Sequence, residues 1–229
     1  MVKGVTNIIR FNWHFYVIAI VCITGLILIH QPVIVGLIVL SIVVSLGVSW
    51  YVYDYSDLYT LNWMDVRAPA RVVNINAGFD ETSVLLVAKY PDATLTVLDF
   101  YDPVKHTAVS IARARKAYGA YPGTITISTS TIPLQPSSVD LIVLMLAAHE
   151  IRDHSEREFF FKQVKKCLTD NGQIVVLEHL RDLPNFLAYN IGFFHFFSGK
   201  TWMRTFNAAG LEVVKELKLT PFLSAFILQ

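Results

Sequence analysis

Four side chains that can exchange protons lie in two adjacent pairs, each at the end of an apolar run. His149 and Glu150 follow one run, and Glu178 and His179 follow another. Histidine titrates near neutral pH, which suits a general base, and a carboxylate can also accept a proton. These pairs predict proton removal from a bound substrate, with His149, Glu178 and His179 as the catalytic candidates.

A second group of polar side chains has the spacing of a nucleoside site. Asp99 lies 23 residues after Asn76, and an acidic side chain about 20 residues past the first turn of an α/β domain can accept both hydroxyl hydrogens of a ribose. Gly78 permits close backbone approach to a ligand. Two other interpretations stay open: Asp99 caps a helix that begins near residue 102, or Gly78 serves a turn alone. The predicted cofactor-binding residues are Asn74, Asn76, Gly78, Asp99, Phe100, Ser128, Thr129 and Ala147.

The loop that contains Gly78 lacks the glycine-rich pattern of a phosphate site. Asn76-Ala77-Gly78-Phe79-Asp80-Glu81 has one glycine and places two carboxylates where a helix begins. Those carboxylates would repel a pyrophosphate. The loop therefore disfavours NAD(P) and ATP, and it is compatible with a cofactor that has a ribose and no phosphate.

These candidates need a scaffold, and apolar runs that alternate with helical patterns after about residue 60 predict one. The run over 139–146 is apolar apart from Asp140, which is typical of the doubly covered centre of a parallel sheet. In such a sheet ligands bind outside the carboxyl ends of the strands, where the candidates lie. Ser155 and Glu158 have the spacing of a capping box. The predicted strands are 71–76, 94–100, 124–128, 139–146 and 173–178, and the predicted helices are 81–90, 103–118 and 155–168.

The pattern changes towards the end of the chain. A helix is predicted over 201–209, ended by Gly210, and two strands follow over 211–219 and 223–228. Their link is too short for a crossover helix, so this pair should be antiparallel. We predict an α/β fold with a doubly wound, seven-stranded, mainly parallel sheet and an antiparallel C-terminal hairpin.

A stretch without Asp, Glu, Lys or Arg covers residues 11–53. Segments 11–29 and 32–50 are apolar, have 19 residues each, and are separated by His30-Gln31-Pro32. A hydrocarbon layer about 30 Å thick needs about 20 helical residues, so we predict a hairpin of two transmembrane helices. A cleaved signal peptide and a buried soluble hairpin are the alternatives.

Charges beside the hairpin predict its orientation. Lys3 and Arg10 precede the first segment and the turn is uncharged, so the positive-inside rule places both ends in the cytoplasm. We predict an integral protein of the cell (inner) membrane with a cytoplasmic catalytic domain. Its parts are a membrane hairpin over 1–52, a juxtamembrane linker or lid over 53–69, and the catalytic domain over 70–229.

The composition excludes several classes of protein. The chain after the hairpin has 17 basic and 18 acidic residues, so a nucleic-acid partner is not expected. Only 16% of all residues are charged, which excludes a disordered chain. Cys22 and Cys167 are too few and too scattered for a disulfide framework or a zinc site, and we predict no metal.

Over about residues 60–229 the layout resembles the class I S-adenosylmethionine (SAM)-dependent methyltransferases. Residues 72–78 resemble the family's first motif, and Val97-Leu98-Asp99 resembles its ribose-binding strand end. Residues 128–140 and 148–153 are similar to the adenine-contacting segment and to the stretch after strand 4. The resemblance implies SAM as the cofactor and methyl transfer as the activity.

Several positions depart from the family's pattern. Asn74 replaces the acidic residue of the first motif, Asn76 and Asp80 replace two glycines, and Ser128 replaces the adenine-facing Asp. Asn can still hydrogen-bond the ammonium or carboxylate group of the cofactor, but it lacks the charge of the acidic residue that it replaces. A catalytically inactive, methyltransferase-fold membrane adaptor is therefore the alternative function, and a nucleotide-dependent reductase is a third.

The stretch over 185–197 (NFLAYNIGFFHFF) contains five Phe and one Tyr. It follows the fifth strand, where the resembling fold admits substrate. It either lines the core or forms an interfacial segment that admits an apolar acceptor from the bilayer. With the hairpin, it predicts the lipid bilayer and a lipophilic or aromatic small molecule as partners.

Overall fold

A computed structural model describes residues 4–66, 68–105 and 109–229. Seven strands form one sheet in the order β3-β2-β1-β4-β5-β7-β6, with β7 antiparallel to both of its neighbours. This confirms the predicted seven-stranded, mainly parallel sheet with an antiparallel C-terminal pair. The strands are β1 (Arg71–Asn76), β2 (Thr94–Asp99), β3 (Ile125–Thr126), β4 (Val139–Met145), β5 (Leu168–His179), β6 (Val213–Thr220) and β7 (Leu223–Leu228).

Helices precede the sheet and connect its strands. The connecting helices end close to the predicted positions. Two parts of the predictions lie outside the described residues: Lys3, and residues 106–108 of the predicted helix 103–118. The helices are α1 (Gly4–Phe11), α2 (Trp13–Leu28), α3 (Pro32–Trp50), α4 (Ser83–Lys89), α5 (Val109–Ala117), α6 (His154–Cys167), α7 (Leu183–Tyr189) and α8 (Gly199–Ala208).

The start of α6 differs from the predicted capping box. Asp153, rather than Ser155, is the N-cap, and its carboxylate accepts a hydrogen bond from the backbone N–H of Glu156 at 2.8 Å. Asp153 has the extended backbone of an N-cap, and its side chain satisfies an N–H that has no partner inside the helix. The helix therefore begins one residue before the predicted position.

Both faces of the sheet are covered by apolar side chains. On one face α6 and α8 supply Phe160, Phe161, Trp202 and Phe206, all fully buried. On the other face the segment after α3 packs against β1, β4 and β5 through buried residues such as Leu61 and Met64. The predicted linker is thus part of the core, and it fixes the hairpin against the sheet.

The N-terminal helices are more divided than the sequence predicts. The first predicted segment, 11–29, becomes the 16-residue α2, and α1 is a separate helix that meets α2 at an angle of 69°. Asn12 lies at the bend, where its side-chain amide donates to the carbonyl of Ile8 at 3.0 Å. No residue of α2 is buried.

α3 continues through a π-helical turn over Tyr51–Tyr55 and a 3-10 turn over Asp57–Thr60. The whole of Pro32–Thr60 is long and apolar enough to cross a bilayer, with a mean hydropathy of 2.6 and 6% of its most apolar stretch buried. α1 and α2 are long and apolar enough to cross a bilayer only when the two are taken together as one bent segment.

Candidate active site

A cavity of about 370 Å³ lies between the carboxyl ends of the central strands and the base of the helical hairpin, within the size range of small-molecule sites. One side consists of strand-end residues, including Asn74, Asn76 and Met145. The other side consists of residues of α1, α3 and the π-helical turn, including Phe11, Ser49 and Tyr53. The hairpin and the sheet therefore build this cavity together.

α1 is held over the cavity from two directions. The Asp54 carboxylate accepts hydrogen bonds from the backbone N–H groups of Gly4 at 2.8 Å and Val5 at 2.9 Å. The Tyr118 hydroxyl, just after α5, donates to Asn7 Oδ1 at 2.8 Å. Gly4 permits this approach, because a Cβ there would lie 2.4 Å from Tyr53 Cβ. This covering helix was not predicted from the sequence.

The first strand ends in a loop whose polar groups bond to one another. Asn74 Nδ2 donates to Asp80 Oδ1 at 3.0 Å and lies 2.9 Å from Ser83 Oγ, while Asn76 Oδ1 accepts from the N–H of Gly78 at 3.0 Å. Gly78 has a φ of +99°, which favours glycine. Asn74 and Asn76 line the cavity, and Gly78 lies in a smaller hollow beside it.

Asp99 ends β2 at the predicted position, and both of its carboxylate oxygens have partners. Oδ1 accepts from the backbone N–H of Tyr101 at 2.9 Å, and Oδ2 forms an ion pair with the Arg115 guanidinium. Arg115 also lies over the Tyr101 ring, 4.5 Å from its centroid. The hollow beside Asp99 has a volume of about 60 Å³, so Arg115 occupies much of the place expected for a ribose.

The other four predicted cofactor residues do not line the cavity. Phe100 and Ala147 are buried in the core. Ser128 Oγ lies 2.9 Å from Ser130 Oγ, and Thr129 donates to the Glu156 carboxylate. The hydroxyl groups of Ser128 and Thr129 therefore have hydrogen-bond partners within the protein.

His149 lies in the cavity between two carboxylates. Its Nδ1 is 2.7 Å from Glu178 Oε2, and its Nε2 is 3.3 Å from Glu150 Oε1. Burial alone would lower the pKa of His149, but Glu178 and Glu150 together raise it to about 10. An imidazolium at neutral pH cannot accept a proton, so this geometry does not favour His149 as the base. Glu178 is fully buried behind it, and its two carboxylate oxygens contact the backbone N–H and the Nδ1 of His149.

His179 also lines the cavity, in the opposite protonation state. Its Nδ1 lies 2.9 Å from the carbonyl oxygen of Phe222, which only accepts, so Nδ1 carries the proton. Nε2 then accepts from the Tyr53 hydroxyl at 2.7 Å. Burial lowers the pKa of His179 to about 4, despite its hydrogen bonds with Asn185 and Phe222. His179 is neutral and positions Tyr53.

Glu81 is a cavity residue that the sequence analysis did not select. It follows the first-strand loop and accepts a hydrogen bond from the Tyr59 hydroxyl at 3.0 Å. Burial raises the pKa of Glu81 to about 7, the Tyr59 bond opposes this rise, and Asp80 adds to it. Glu81 is buried by segments that are distant in the sequence, so no local pattern identified it as a candidate base.

Comparison with known proteins bears on the fold. No family model matches the sequence, and no curated protein matches it either. Among solved structures, a putative O-methyltransferase from Nostoc punctiforme superposes with a TM-score of 0.56 at 16% identity, over 76% of this chain and 55% of that one. A SAM-dependent methyltransferase from Methanosarcina mazei superposes with a TM-score of 0.53 at 17% identity, over 76% and 98%.

Human N-acetylserotonin methyltransferase, solved in complex with SAM, superposes with a TM-score of 0.56 at 15% identity, over 79% of this chain and 52% of that one. The fold is that of the class I SAM-dependent methyltransferases. This chain spans about half of the length of the Nostoc and human proteins.

In this class I methyltransferase fold, the residues at the cavity can be compared with the groups of SAM that they would bind. Asn74 and Asn76 present amides at the cavity, and amides can hydrogen-bond the amino-acid end of the cofactor. Asp99 is the predicted partner of the ribose hydroxyls, but its carboxylate is paired with Arg115. The residue types fit SAM, and Arg115 occupies the side of Asp99 that a ribose would contact.

Proposed function

We propose that this protein is a membrane-anchored, SAM-dependent methyltransferase that methylates an apolar acceptor at the cytoplasmic membrane face. The observation that carries the proposal is the position of the cavity. Cofactor-side residues of the sheet and residues of the apolar hairpin line the same space. An acceptor that enters along the hairpin would meet the cofactor there without crossing water.

The apolar surface supports a bilayer as the source of the acceptor. α7 lies beside α3, where Asn190 Nδ2 donates to Ser41 Oγ at 2.7 Å. Ser45 and Ser49, one and two turns further along α3, line the cavity. α7 and the following 3-10 turn over Asn190–His195 also present an exposed apolar face, which suits the interfacial depth of a membrane. That face comprises Leu183, Phe186, Leu187, Ile191 and Phe194.

SAM, when bound, supplies an electrophilic methyl group, and the chain supplies the remaining functions. Asn74, Asn76 and Asp99 would bind the cofactor, and α1 would exclude water from the cavity. A base is needed where the acceptor loses a proton. A pKa near the working pH suits that task, and Glu81 combines a pKa of about 7 with a place in the cavity. We assign the base to Glu81 and positioning to His179.

The test is calorimetric titration of the purified full chain with SAM. We expect binding to weaken about tenfold or more in Asp99→Ala, since hydrogen bonds to a charged group contribute roughly 1.5–3 kcal/mol. Arg115→Ala should bind SAM about three- to tenfold more tightly, because a partly exposed ion pair no longer competes with the ribose. Lys116→Ala, an exposed cation on the same helix, is the matched control.

The titration separates the two candidate functions. The Arg115–Asp99 ion pair and the internally bonded Asn74 and Asn76 favour a methyltransferase fold that serves as a membrane adaptor. An absence of SAM binding in both the unmodified chain and Arg115→Ala would establish that alternative. Binding that weakens in Arg115→Ala would instead assign Arg115 to the cofactor.

A further inference from the structure

We propose that His149, Glu150 and His195 bind a divalent transition-metal ion such as zinc at the edge of the cavity. His149 and Glu150 belong to the short 3-10 turn after β4, and His195 ends the 3-10 turn after α7. The site goes beyond the proposed function, since neither SAM nor methyl transfer is needed to form it.

The three ligand atoms already have the spacing of a coordination shell. Glu150 Oε1 lies 3.3 Å from His149 Nε2 and 3.2 Å from His195 Nε2, and all three atoms lie within 4.8 Å of one another. Bonds of about 2.0–2.1 Å in a tetrahedral zinc site separate neighbouring ligand atoms by roughly 3.3 Å. Two histidines and one carboxylate are also a known catalytic donor set that leaves a position open.

Residues around the three ligands hold them in place. Glu178 Oε2 lies 2.7 Å from His149 Nδ1, so Nδ1–H donates to a fully buried carboxylate and directs Nε2 towards the ion. Arg152 Nη1 donates to the carbonyl oxygens of His149 at 3.1 Å and His195 at 2.6 Å, which links the two turns that carry the ligands. The cluster is therefore assembled before any ion binds.

Charge also favours a cation here. The carboxylates of Glu150 and Glu178 both contact the His149 ring, and a bound cation would pair with them in place of the proton on Nε2. Buried carboxylates are unfavourable unless they are paired or coordinate a metal. His149, Glu150 and His195 all line the cavity, so the open position of the ion faces an entering ligand. If the proposed function holds, that ligand is an oxygen atom of the acceptor.

The experiment is a zinc titration of the full chain in detergent, after chelation and dialysis, without SAM or acceptor. We expect one zinc per chain with micromolar affinity or tighter. His195→Ala should weaken binding at least tenfold, and Glu178→Gln about 10- to 100-fold, as for other residues that orient a ligand. His154→Ala is the matched control, because His154 lies at the start of α6 outside the cavity, where its Nε2 is 3.0 Å from Glu158 Oε1.

Two results would overturn the metal site: no zinc binding by the folded chain, or equal losses in His195→Ala and His154→Ala. Circular dichroism shows whether each variant folds, and Glu150→Gln replaces His195→Ala if that variant does not. Because SAM is absent, a failure of methyl transfer leaves this result unaffected. A failure of zinc binding likewise leaves the SAM titration unaffected.

Discussion

At the residue scale, the cavity contains a carboxyl group that titrates near neutral pH. Glu81 is packed against Tyr59, with Asp80 next in the chain and Tyr53 also facing it. Burial from several elements, rather than one partner, raises its pKa to about 7. The same burial makes Glu81 a better base at neutral pH than His149, which its carboxylate neighbours keep protonated.

We predict that kcat/KM for methyl transfer rises with pH and reaches half of its maximum near pH 7, because Glu81 must be deprotonated to accept a proton. Glu81→Gln should lower the rate about 10²- to 10⁴-fold and remove this pH dependence. Rates measured with radiolabelled SAM at several pH values check both effects. Glu216→Gln, which changes an exposed carboxyl group on β6, is the control. If the pH dependence of kcat/KM is unchanged in Glu81→Gln, a residue other than Glu81 is the base.

Thermal unfolding provides an independent check on the same residue. The folded pKa of Glu81 lies above the ordinary value of 4.5, so between about pH 4.5 and pH 7 the folded state binds more protons than the unfolded state. The free energy of unfolding that Glu81 contributes is therefore present below pH 4.5 and is lost as the pH rises through 7. We expect Glu81→Gln to flatten the fall of Tm over this range. An equal fall in the variant would contradict the raised pKa.

At the element scale, α1 is the part of the cavity that depends most on a few contacts. Its buried positions, Gly4, Asn7 and Phe11, recur at helical spacing and face the sheet domain. Phe11 packs edge-on against Phe79, with ring centroids 6.0 Å apart. The helix is held at its start by Asp54, through Asn7 by Tyr118, and at its end by Arg113, whose Nη1 donates to the carbonyl of Phe11 at 2.6 Å.

Gly4→Val should release α1, since the new side chain cannot fit where a Cβ alone would lie 2.4 Å from Tyr53 Cβ. We expect loss of the two hydrogen bonds to Asp54 and at least about tenfold faster amide hydrogen exchange in α1, which corresponds to roughly 1.4 kcal/mol. Thr6→Val places the same side chain on the exposed face of α1 and should leave exchange unchanged. Equal exchange rates in the two variants would show that Asp54 does not hold the helix.

At the scale of the whole molecule, the apolar hairpin and the sheet domain share one cavity but differ in the surface that they expose. α2 has no buried residue, and α3 exposes Val39 and other large apolar side chains along its length. Such an exposed apolar surface indicates a membrane or protein interface. The exposed face of α7 continues this surface onto the sheet domain.

Val39→Lys should weaken membrane attachment, because a lysine at the centre of a membrane helix costs about 2.5–3.5 kcal/mol. We expect the unmodified chain to stay with the membrane in alkaline carbonate and the variant to be partly released. Val87→Lys is the matched control, since Val87 on α4 is similarly exposed, at 41% against 44% for Val39. Equal retention of the two variants would contradict membrane insertion of α3.

Local properties of the sequence were sufficient for the order of elements and much of the scaffold. A short β-branched run predicted β1, and a nearly continuous apolar run predicted β4, because a doubly covered strand needs apolar residues on both faces. The short link after Thr220 required an antiparallel pair. Asp99 was placed at a strand end because its apolar run stops there. Each of these inferences depends on neighbours in the chain, which the sequence shows directly.

The tertiary structure alone decided which groups meet. Arg115 reaches Asp99 from the next helix, and His195 comes within 3.2 Å of Glu150 although 45 residues separate them. α1 bends away from α2 by 69° at Asn12 and lies over the cavity. The raised pKa of Glu81 results from burial by several distant segments. Distances and burial depend on how all the elements pack together, and no local pattern in the sequence contains that information.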